Sequence, residues 1–158
     1  MEKLKELIKK GESETLEFKT DFSEEVIETL TAFSNTSGGI VIIGINDRKK
    51  IVGCKLGKES IRVFINEIKQ KTDGRVIPAI ELDKIEDKTV AVFSVAQYPS
   101  RPIPFHGRYY KRVKNSNIQM LVDEIADEYL RARNRSWDVF PSELNVADLD
   151  FEKIIKVI

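Results

Sequence analysis

A continuous apolar run, Ile40-Val41-Ile42-Ile43-Gly44-Ile45, constrains the fold of this chain more than any other feature of its sequence. The run follows Gly38-Gly39, and these two glycines end a helical pattern that occupies residues 23–35. An apolar run without polar alternation is typical of a strand that is buried on both faces. The sequence therefore predicts an amphipathic helix, capped at its start by Ser23, that leads directly into a buried strand.

The remaining periodic segments predict further helices and strands. The other helices are expected at residues 2–10 and 58–72 and after a capping box formed by Ser116 to Gln119; the other strands are expected at residues 15–19, 51–53, 80–85, 89–95 and 108–113. Residues 46–50 form a hairpin turn in this interpretation, and prolines 99, 102 and 104 lie in a loop. Since strands and helices are mixed without strict β–α–β alternation, we predict the α+β class, with a mixed, largely antiparallel sheet and packed helices.

The 158 residues suffice for one ordinary domain, which we assign to residues 1–133. Residues 134–158 are interpreted as a linker and the start of a further segment, because a second apolar stripe begins at Phe151 and stops mid-pattern. We therefore expect a fragment of a longer protein. A single cysteine excludes an internal disulfide. Neither a signal peptide nor an apolar run long enough for a membrane span occurs, so we expect a cytoplasmic protein.

Basic residues are concentrated in one part of a chain whose overall charge is balanced, with 26 basic and 26 acidic residues. No acidic residue occurs between Asp87 and Asp123. Cations interleaved with tyrosines suit a nucleic acid, because cations meet phosphates and aromatic rings stack on bases. The candidate nucleic-acid-binding residues are Lys19, Arg101, Arg108, Tyr109, Tyr110, Lys111, Arg112 and Lys114.

Alternation along the predicted strand 108–113 divides these candidates between two faces. Arg108, Tyr110 and Arg112 share one face, whereas Tyr109 and Lys111 lie on the other. Only one face can bind. An edge strand that is protected by its charges is an equally supported structural interpretation.

Three carboxylates, Glu12, Glu17 and Asp47, are candidate metal-ligating and catalytic residues. Glu17 belongs to the polar face of the first strand, and Asp47 follows the apolar strand. If these strands are neighbours, the carboxylates could converge on Mg²⁺ or Mn²⁺, which prefer oxygen ligands. Such a cation could activate water for phosphodiester cleavage. Solvated surface acids beside Lys19 and Arg48 are the simpler interpretation.

The glycine-containing turn Ser34 to Gly39 has the composition of a phosphate loop but the opposite order of elements. It follows a helix and precedes a strand, so the free backbone groups near it are carbonyls rather than N–H donors. Neither G-x-x-x-x-G-K-[ST] nor G-x-G-x-x-G occurs in the chain. The sequence therefore predicts no ATP site.

Four short blocks resemble the AlbA-like domain that is shared with Schlafen proteins. They are residues 11–19, residues 32–39, residues 42–47 with 51–53, and residues 109–113 with 116–117. The resemblance spans roughly residues 8–130 and implies a DNA-binding domain of the kind that prokaryotic transcriptional regulators carry.

The resemblance also bears on the carboxylates. Some vertebrate Schlafen proteins are metal-dependent RNases that use two glutamates and an aspartate, and the resemblance aligns these with Glu12, Glu17 and Asp47. The cysteine and histidine zinc site of those proteins has no counterpart here, since the chain has one cysteine and one histidine. The vertebrate enzymes build their groove from two such lobes, so a comparable groove here would require a homodimer.

Three functions stay open at this stage. The leading hypothesis is a nucleic-acid-binding domain of a transcriptional regulator, with DNA preferred over RNA and no cofactor required for binding. The second is an RNase that holds Mg²⁺ or Mn²⁺ with the three carboxylates, so the sequence alone does not decide whether the chain is an enzyme. The third is a protein-interaction or oligomerisation domain whose basic strand meets an acidic partner.

Overall fold

The computed structural model describes residues 2–133. The helices of this range are α1 (Glu2–Lys10), α2 (Glu24–Asn35), α3 (Lys58–Lys71) and α4 (Val122–Arg131). Its strands are β1 (Leu16–Lys19), β2 (Gly39–Ile43), β3 (Ala79–Ile85), β4 (Lys88–Val95), β5 (Pro104–Phe105), β6 (Arg108–Val113) and β7 (Ser116–Gln119). The predicted linker and further segment at residues 134–158 lie outside the described residues.

The strands form two sheets. Four of them pair in the order β1-β2-β4-β3, and the other three pair in the order β5-β6-β7. β1 and β2 are parallel and are connected through α2, whereas every other strand pair is antiparallel. The α+β class with a mixed, largely antiparallel sheet is therefore confirmed.

A hydrophobic core lies on each face of the four-stranded sheet. Val41 and Ile43 of β2 pack on one face with residues of α2 and α3, and Ile42 packs on the other face with Leu4 and Ile8 of α1. All three β2 side chains are fully buried. The apolar run is thus buried on both faces, as its composition predicts.

Helix α2 contacts strands of both sheets. Its side chains Leu30 and Phe33 are fully buried and share one core with Val41 of the larger sheet and with Ile103 and Phe105 at the smaller sheet. The smaller sheet therefore packs on α2 rather than on the larger sheet alone, and α2 determines where β6 lies.

The predicted hairpin after β2 is wrong in its second strand. β2 ends at Ile43, and Ile45 and Ile51 form a single bridge instead of a ladder. Gly44 explains the break, because its φ of 102° turns the chain out of the sheet and its α-carbon lies so near Gly53 that a Cβ would meet backbone at 3.1 Å. Its carbonyl accepts the N–H groups of both Val52 and Gly53.

The predicted capping box at Ser116 to Gln119 is also wrong. These residues form β7, which pairs with β6 through a turn that contains Lys114 at a φ of 56°. A Ser-x-x-Gln sequence suits a strand equally well once the preceding strand turns back on itself. The last helix begins at Val122 instead, and the Glu124 carboxylate accepts the N–H of Leu121, 3.0 Å away.

The proline-rich loop is confirmed except at Pro104, which belongs to β5. β5 lies at the edge of its sheet, where a residue without an N–H donor is tolerated. Within residues 2–133, no helix is long and apolar enough to cross a membrane.

Candidate nucleic-acid interface

The two faces of β6 have different surroundings. Tyr110 packs against the core beside Phe105, with 6.4 Å between the ring centroids, and Arg112 is only 3% exposed. The face that carries these two side chains therefore points into the protein. Arg108 shares this face by alternation but lies exposed at the start of the strand.

Arg112 is held by a network of buried polar groups. Its Nη2 atom donates to the Glu17 carboxylate and to the Ser13 carbonyl at 3.2 Å, and its Nη1 atom donates to Asn117 Oδ1 at 2.9 Å. The guanidinium also lies 5.1 Å from the centroid of the Phe33 ring. The expected phosphate contact of Arg112 is corrected accordingly, because the side chain faces Glu17 inside the protein and not the solvent.

The network continues beyond Arg112 through side chains that sequence reasoning missed. Asn117 Nδ2 donates to Thr29 Oγ1 at 2.9 Å and to Glu28 Oε1 at 3.1 Å. Thr36 Oγ1 accepts the backbone N–H of Arg112 at 2.9 Å. These contacts join β6 and β7 to α2. The sequence offered no signal for these contacts beyond the polar residues of an amphipathic helix.

Asn35 is a second residue that was missed. Its Nδ2 atom donates to the carbonyls of Ile103 at 2.9 Å and Tyr110 at 3.0 Å, and its Oδ1 atom accepts the Ile103 N–H at 2.7 Å. Asn35 is buried, so these three bonds satisfy a polar side chain that would otherwise be costly. They fix the start of the smaller sheet on the end of α2.

Two of the candidate nucleic-acid-binding residues, Arg101 and Lys111, form ion pairs with carboxylates of α4. Lys111 contacts Glu124, and Arg101 Nε lies 2.9 Å from Glu128 Oε2. The hydrogen bond from Lys111 lowers the pKa of Glu124 below its ordinary value, and the Leu121 N–H acts in the same direction. These cations are therefore partly neutralised.

Lys19 lies between two carboxylates. Its Nζ atom is 3.2 Å from both Glu17 Oε1 and Glu25 Oε2. Partial burial opposes its charge, but the hydrogen bond to Glu25 and the attraction of Glu17 outweigh burial and raise the pKa of Lys19. Lys19 thus remains protonated over the whole neutral range, with its charge offset by acids.

Arg108 and Lys114 differ from the other candidates. Both are exposed, they flank the β6 strand, and neither has an ion pair within residues 2–133. Tyr109, half-buried on the outward face, lies between them along the strand. The two ends of β6 therefore carry exposed cations without an ion pair among the described residues, and the outward face of the strand carries an aromatic ring.

The three candidate metal ligands lie in different surroundings. Glu17 is 7% exposed and is engaged with Arg112 and Lys19, whereas Glu12 is exposed and accepts the Phe18 N–H at 3.2 Å. Asp47 is exposed in the turn after β2. Among the residues that the structure describes, no group of three or more acidic, histidine or cysteine side chains is placed to hold a metal ion. The carboxylates do not fit a Mg²⁺ or Mn²⁺ site in this arrangement.

An open cleft of about 470 Å³ lies between the end of α2, β6 and α4. Its walls carry both signs of charge, including Arg101 and Lys111 on one side and Glu124 and Glu128 on the other. Because these opposite charges already pair across the cleft, its net attraction for an anion is small.

Comparison with known proteins assigns the fold. The family described as Schlafen, AlbA_2 matches residues 12–121. The chain is 22% identical to the DIP2311 protein from Corynebacterium diphtheriae, with a TM-score of 0.60 over 75% of this chain and 24% of that one, so it spans about a quarter of that protein's length. It is 23% identical to the N-terminal domain of the putative ATP-dependent DNA helicase RecG-related protein from Nitrosomonas europaea, with a TM-score of 0.52 over 74% of this chain and 92% of that domain. No curated protein matches the sequence significantly.

Proposed function

Since the chain belongs to the Schlafen, AlbA_2 family, we propose that it is a nucleic-acid-binding domain, with DNA as its preferred partner, within a larger transcriptional regulator. The observation that carries this proposal is the pair of free, exposed cations, Arg108 and Lys114, at the ends of β6. They lie in a stretch of 35 residues, from 88 to 122, that contains no acidic residue. A phosphate backbone can therefore approach this strand without meeting a like charge from the same segment.

The geometry of β6 suits a polyanion. Five steps along β6 carry the chain roughly 17 Å from Arg108 to Val113, since each residue advances it by about 3.3 Å, and Lys114 follows in the turn. Phosphates recur every 3.4 Å of axis along each strand of duplex DNA, so both cations can contact one duplex at separate phosphates. Tyr109 lies beside Arg108 and can pack on a sugar or base.

A similar domain in another protein supports the choice of DNA. The Nitrosomonas europaea domain is the N-terminal domain of a protein that is named as related to an ATP-dependent DNA helicase. Its fold is similar to the one described here, although its sequence is only 23% identical. The proposal that this domain is part of a larger regulator rests on this likeness and on the family resemblance.

We expect the chain to bind labelled duplex DNA in an anisotropy titration without metal ions, because the proposed contacts need no cofactor. The logarithm of the affinity should fall linearly with the logarithm of the salt concentration. Replacing both Arg108 and Lys114 by alanine should weaken binding at low salt and lower the salt slope by about two, roughly one for each lost phosphate contact.

A charge-matched control is the double replacement of Arg75 and Lys84 by alanine. Both residues are exposed, and Lys84 lies on the larger sheet. This control should leave the affinity and the slope close to those of the unchanged protein. The proposal is overturned if the Arg108 and Lys114 variant binds as tightly, and with the same slope, as the control. Single-stranded RNA in the same titration tests the preference for DNA.

A further inference from the structure

Two cations of the acid-free stretch, Lys111 and Arg101, are paired with carboxylates of the helix that follows it. The Lys111 ammonium contacts Glu124, and Arg101 Nε lies 2.9 Å from Glu128 Oε2. All four side chains line the open cleft of about 470 Å³ between α4, β6 and the end of α2. A carboxylate in such a pair accepts from the same N–H donors that a phosphate oxygen would use.

Lys111 lies beside the residues that carry the proposed function. It follows Arg108 by three residues, roughly 10 Å along β6, and it shares the outward face of the strand with Tyr109. Lys114 follows in the turn after the strand. A polyanion that contacts Arg108 and Lys114 therefore lies near Lys111, whose charge is already paired with Glu124.

The contacts that hold α4 in the cleft can be exchanged for others. Within residues 2–133, no side chain of α4 is buried. The side chains of Lys111 and Glu124 are 33% and 35% exposed, and an ion pair that water can reach contributes little to stability. Glu128 also accepts a bond from Arg131 Nη1 at 2.9 Å, so its pairing with Arg101 is not exclusive. The helix can therefore leave the cleft without opening a hydrophobic core.

We propose that α4 is an autoinhibitory element, in which the carboxylates of Glu124 and Glu128 take the places of two phosphates on Lys111 and Arg101. Nucleic acid at the outward face of β6 gains these two further contacts only when α4 leaves the cleft. This inference rests on the proposed function, because it assigns a regulation to the same surface. It adds two phosphate contacts that the folded chain conceals with its own acidic side chains.

Anisotropy titrations with labelled duplex DNA, at a salt concentration of about 0.1 M, test the proposal. The variant Glu124→Gln with Glu128→Gln keeps the shape of both side chains and removes their charges. We expect it to bind about tenfold more tightly than the unchanged protein, because the two cations no longer have a competing partner. The amide oxygen introduced at position 124 can still accept the Leu121 N–H, so the start of the helix is preserved.

The matched control is Glu81→Gln with Glu86→Gln. Both residues are exposed, in β3 and in the turn after it, and their replacement changes the net charge by the same amount. The control should bind with nearly the affinity of the unchanged protein, because it releases no cation of the cleft.

A second comparison tests whether the gain comes from the released cations. Adding Lys111→Met and Arg101→Met to the variant with both glutamines restores the net charge of the unchanged protein, and we expect it to restore the original affinity as well. The autoinhibitory role is overturned if the variant with both glutamines binds no more tightly than its control, or if the gain persists after Lys111 and Arg101 are replaced.

These outcomes are distinguishable from a failure of the proposed function. If the unchanged protein binds DNA through Arg108 and Lys114 and the variant with both glutamines gains nothing, only the autoinhibitory role is wrong. If neither protein binds DNA, the proposed function and the autoinhibitory role are both wrong. Binding by the variant with both glutamines alone supports the autoinhibitory role.

Discussion

Glu17 and Arg112 form a buried ion pair that links the two sheets, since Glu17 belongs to β1 and Arg112 to β6. Taking two charges out of water is costly, and their attraction offsets the cost only when further hydrogen bonds satisfy both groups. Ser13 and Asn117 supply such bonds to the terminal nitrogens of Arg112, and Lys19 contacts the carboxylate, whereas Arg112 Nε is buried without a hydrogen-bond partner among the described residues. These contacts give Glu17 a structural role instead of the metal-ligating role that the sequence predicts.

Glu17→Gln should lower the free energy of unfolding by about 3–5 kcal/mol, because it leaves the Arg112 charge buried without its counter-charge. Urea denaturation followed by circular dichroism measures this change. Glu12→Gln is the control: Glu12 is exposed, so the same substitution there should cost less than about 1 kcal/mol. If Glu17→Gln unfolds at the same urea concentration as the unchanged protein, the buried pair does not stabilise the fold.

At the scale of elements, α4 is attached to the rest of the protein through ion pairs, and none of its side chains is buried within the described part of the chain. Its two inward carboxylates, Glu124 and Glu128, contact Lys111 and Arg101. Because the hydrogen bond from Lys111 lowers the pKa of Glu124 in the folded protein, this attachment is present at neutral pH. It is lost as the pH falls through the lowered pKa, when Glu124 takes up a proton.

Lys111→Met should therefore raise the pKa of Glu124 toward its ordinary value, and this attachment of α4 should be absent at every pH. A titration of the Glu124 carboxyl carbon by NMR measures the pKa, and the shift of the Leu121 amide reports the helix start, since that amide donates to Glu124. Arg62→Met removes an exposed cation from α3 and serves as the control. A Glu124 pKa that is equal in the two variants contradicts the assigned cause.

Elements that burial alone specifies could be predicted from the sequence, and those that depend on distant partners could not. The helix over residues 24–35 follows from apolar periodicity, and the strand at Gly39–Ile43 follows from a continuous apolar run. β7 was missed because Ser116 to Gln119 also matches a capping box, and only the turn at Lys114 selects the strand.

The orientation of the candidate interface also depends on distant partners. Alternation divided β6 into two faces correctly, with Arg112 and Tyr110 on one of them. Which face points inward depends on Glu17, which lies 95 residues earlier in the chain, and no local pattern contains that information. Likewise, the amphipathic pattern of α4 predicted a helix, but it did not predict that Glu124 would contact Lys111.

At the scale of the whole molecule, α2 is shared by both sheets. Val26, Ile27, Leu30 and Phe33 are fully buried, and the core that they form includes residues of the larger sheet and of the smaller one. Asn35 adds hydrogen bonds to the smaller sheet from the end of the same helix. A sheet of three short strands has little stability of its own, so it depends on this helix for its fold.

Leu30→Ala should accordingly destabilise both sheets together, by about 2–5 kcal/mol, because it opens a cavity in the core that they share. Amide signals from β2 and from β6, followed by NMR through a urea titration, should decrease at one common midpoint that is lower than in the unchanged protein. Val63→Ala, at an exposed site of α3, should shift neither signal. Separate midpoints for the two strands would mean that the smaller sheet unfolds on its own, and the role assigned to α2 as the shared element would then be wrong.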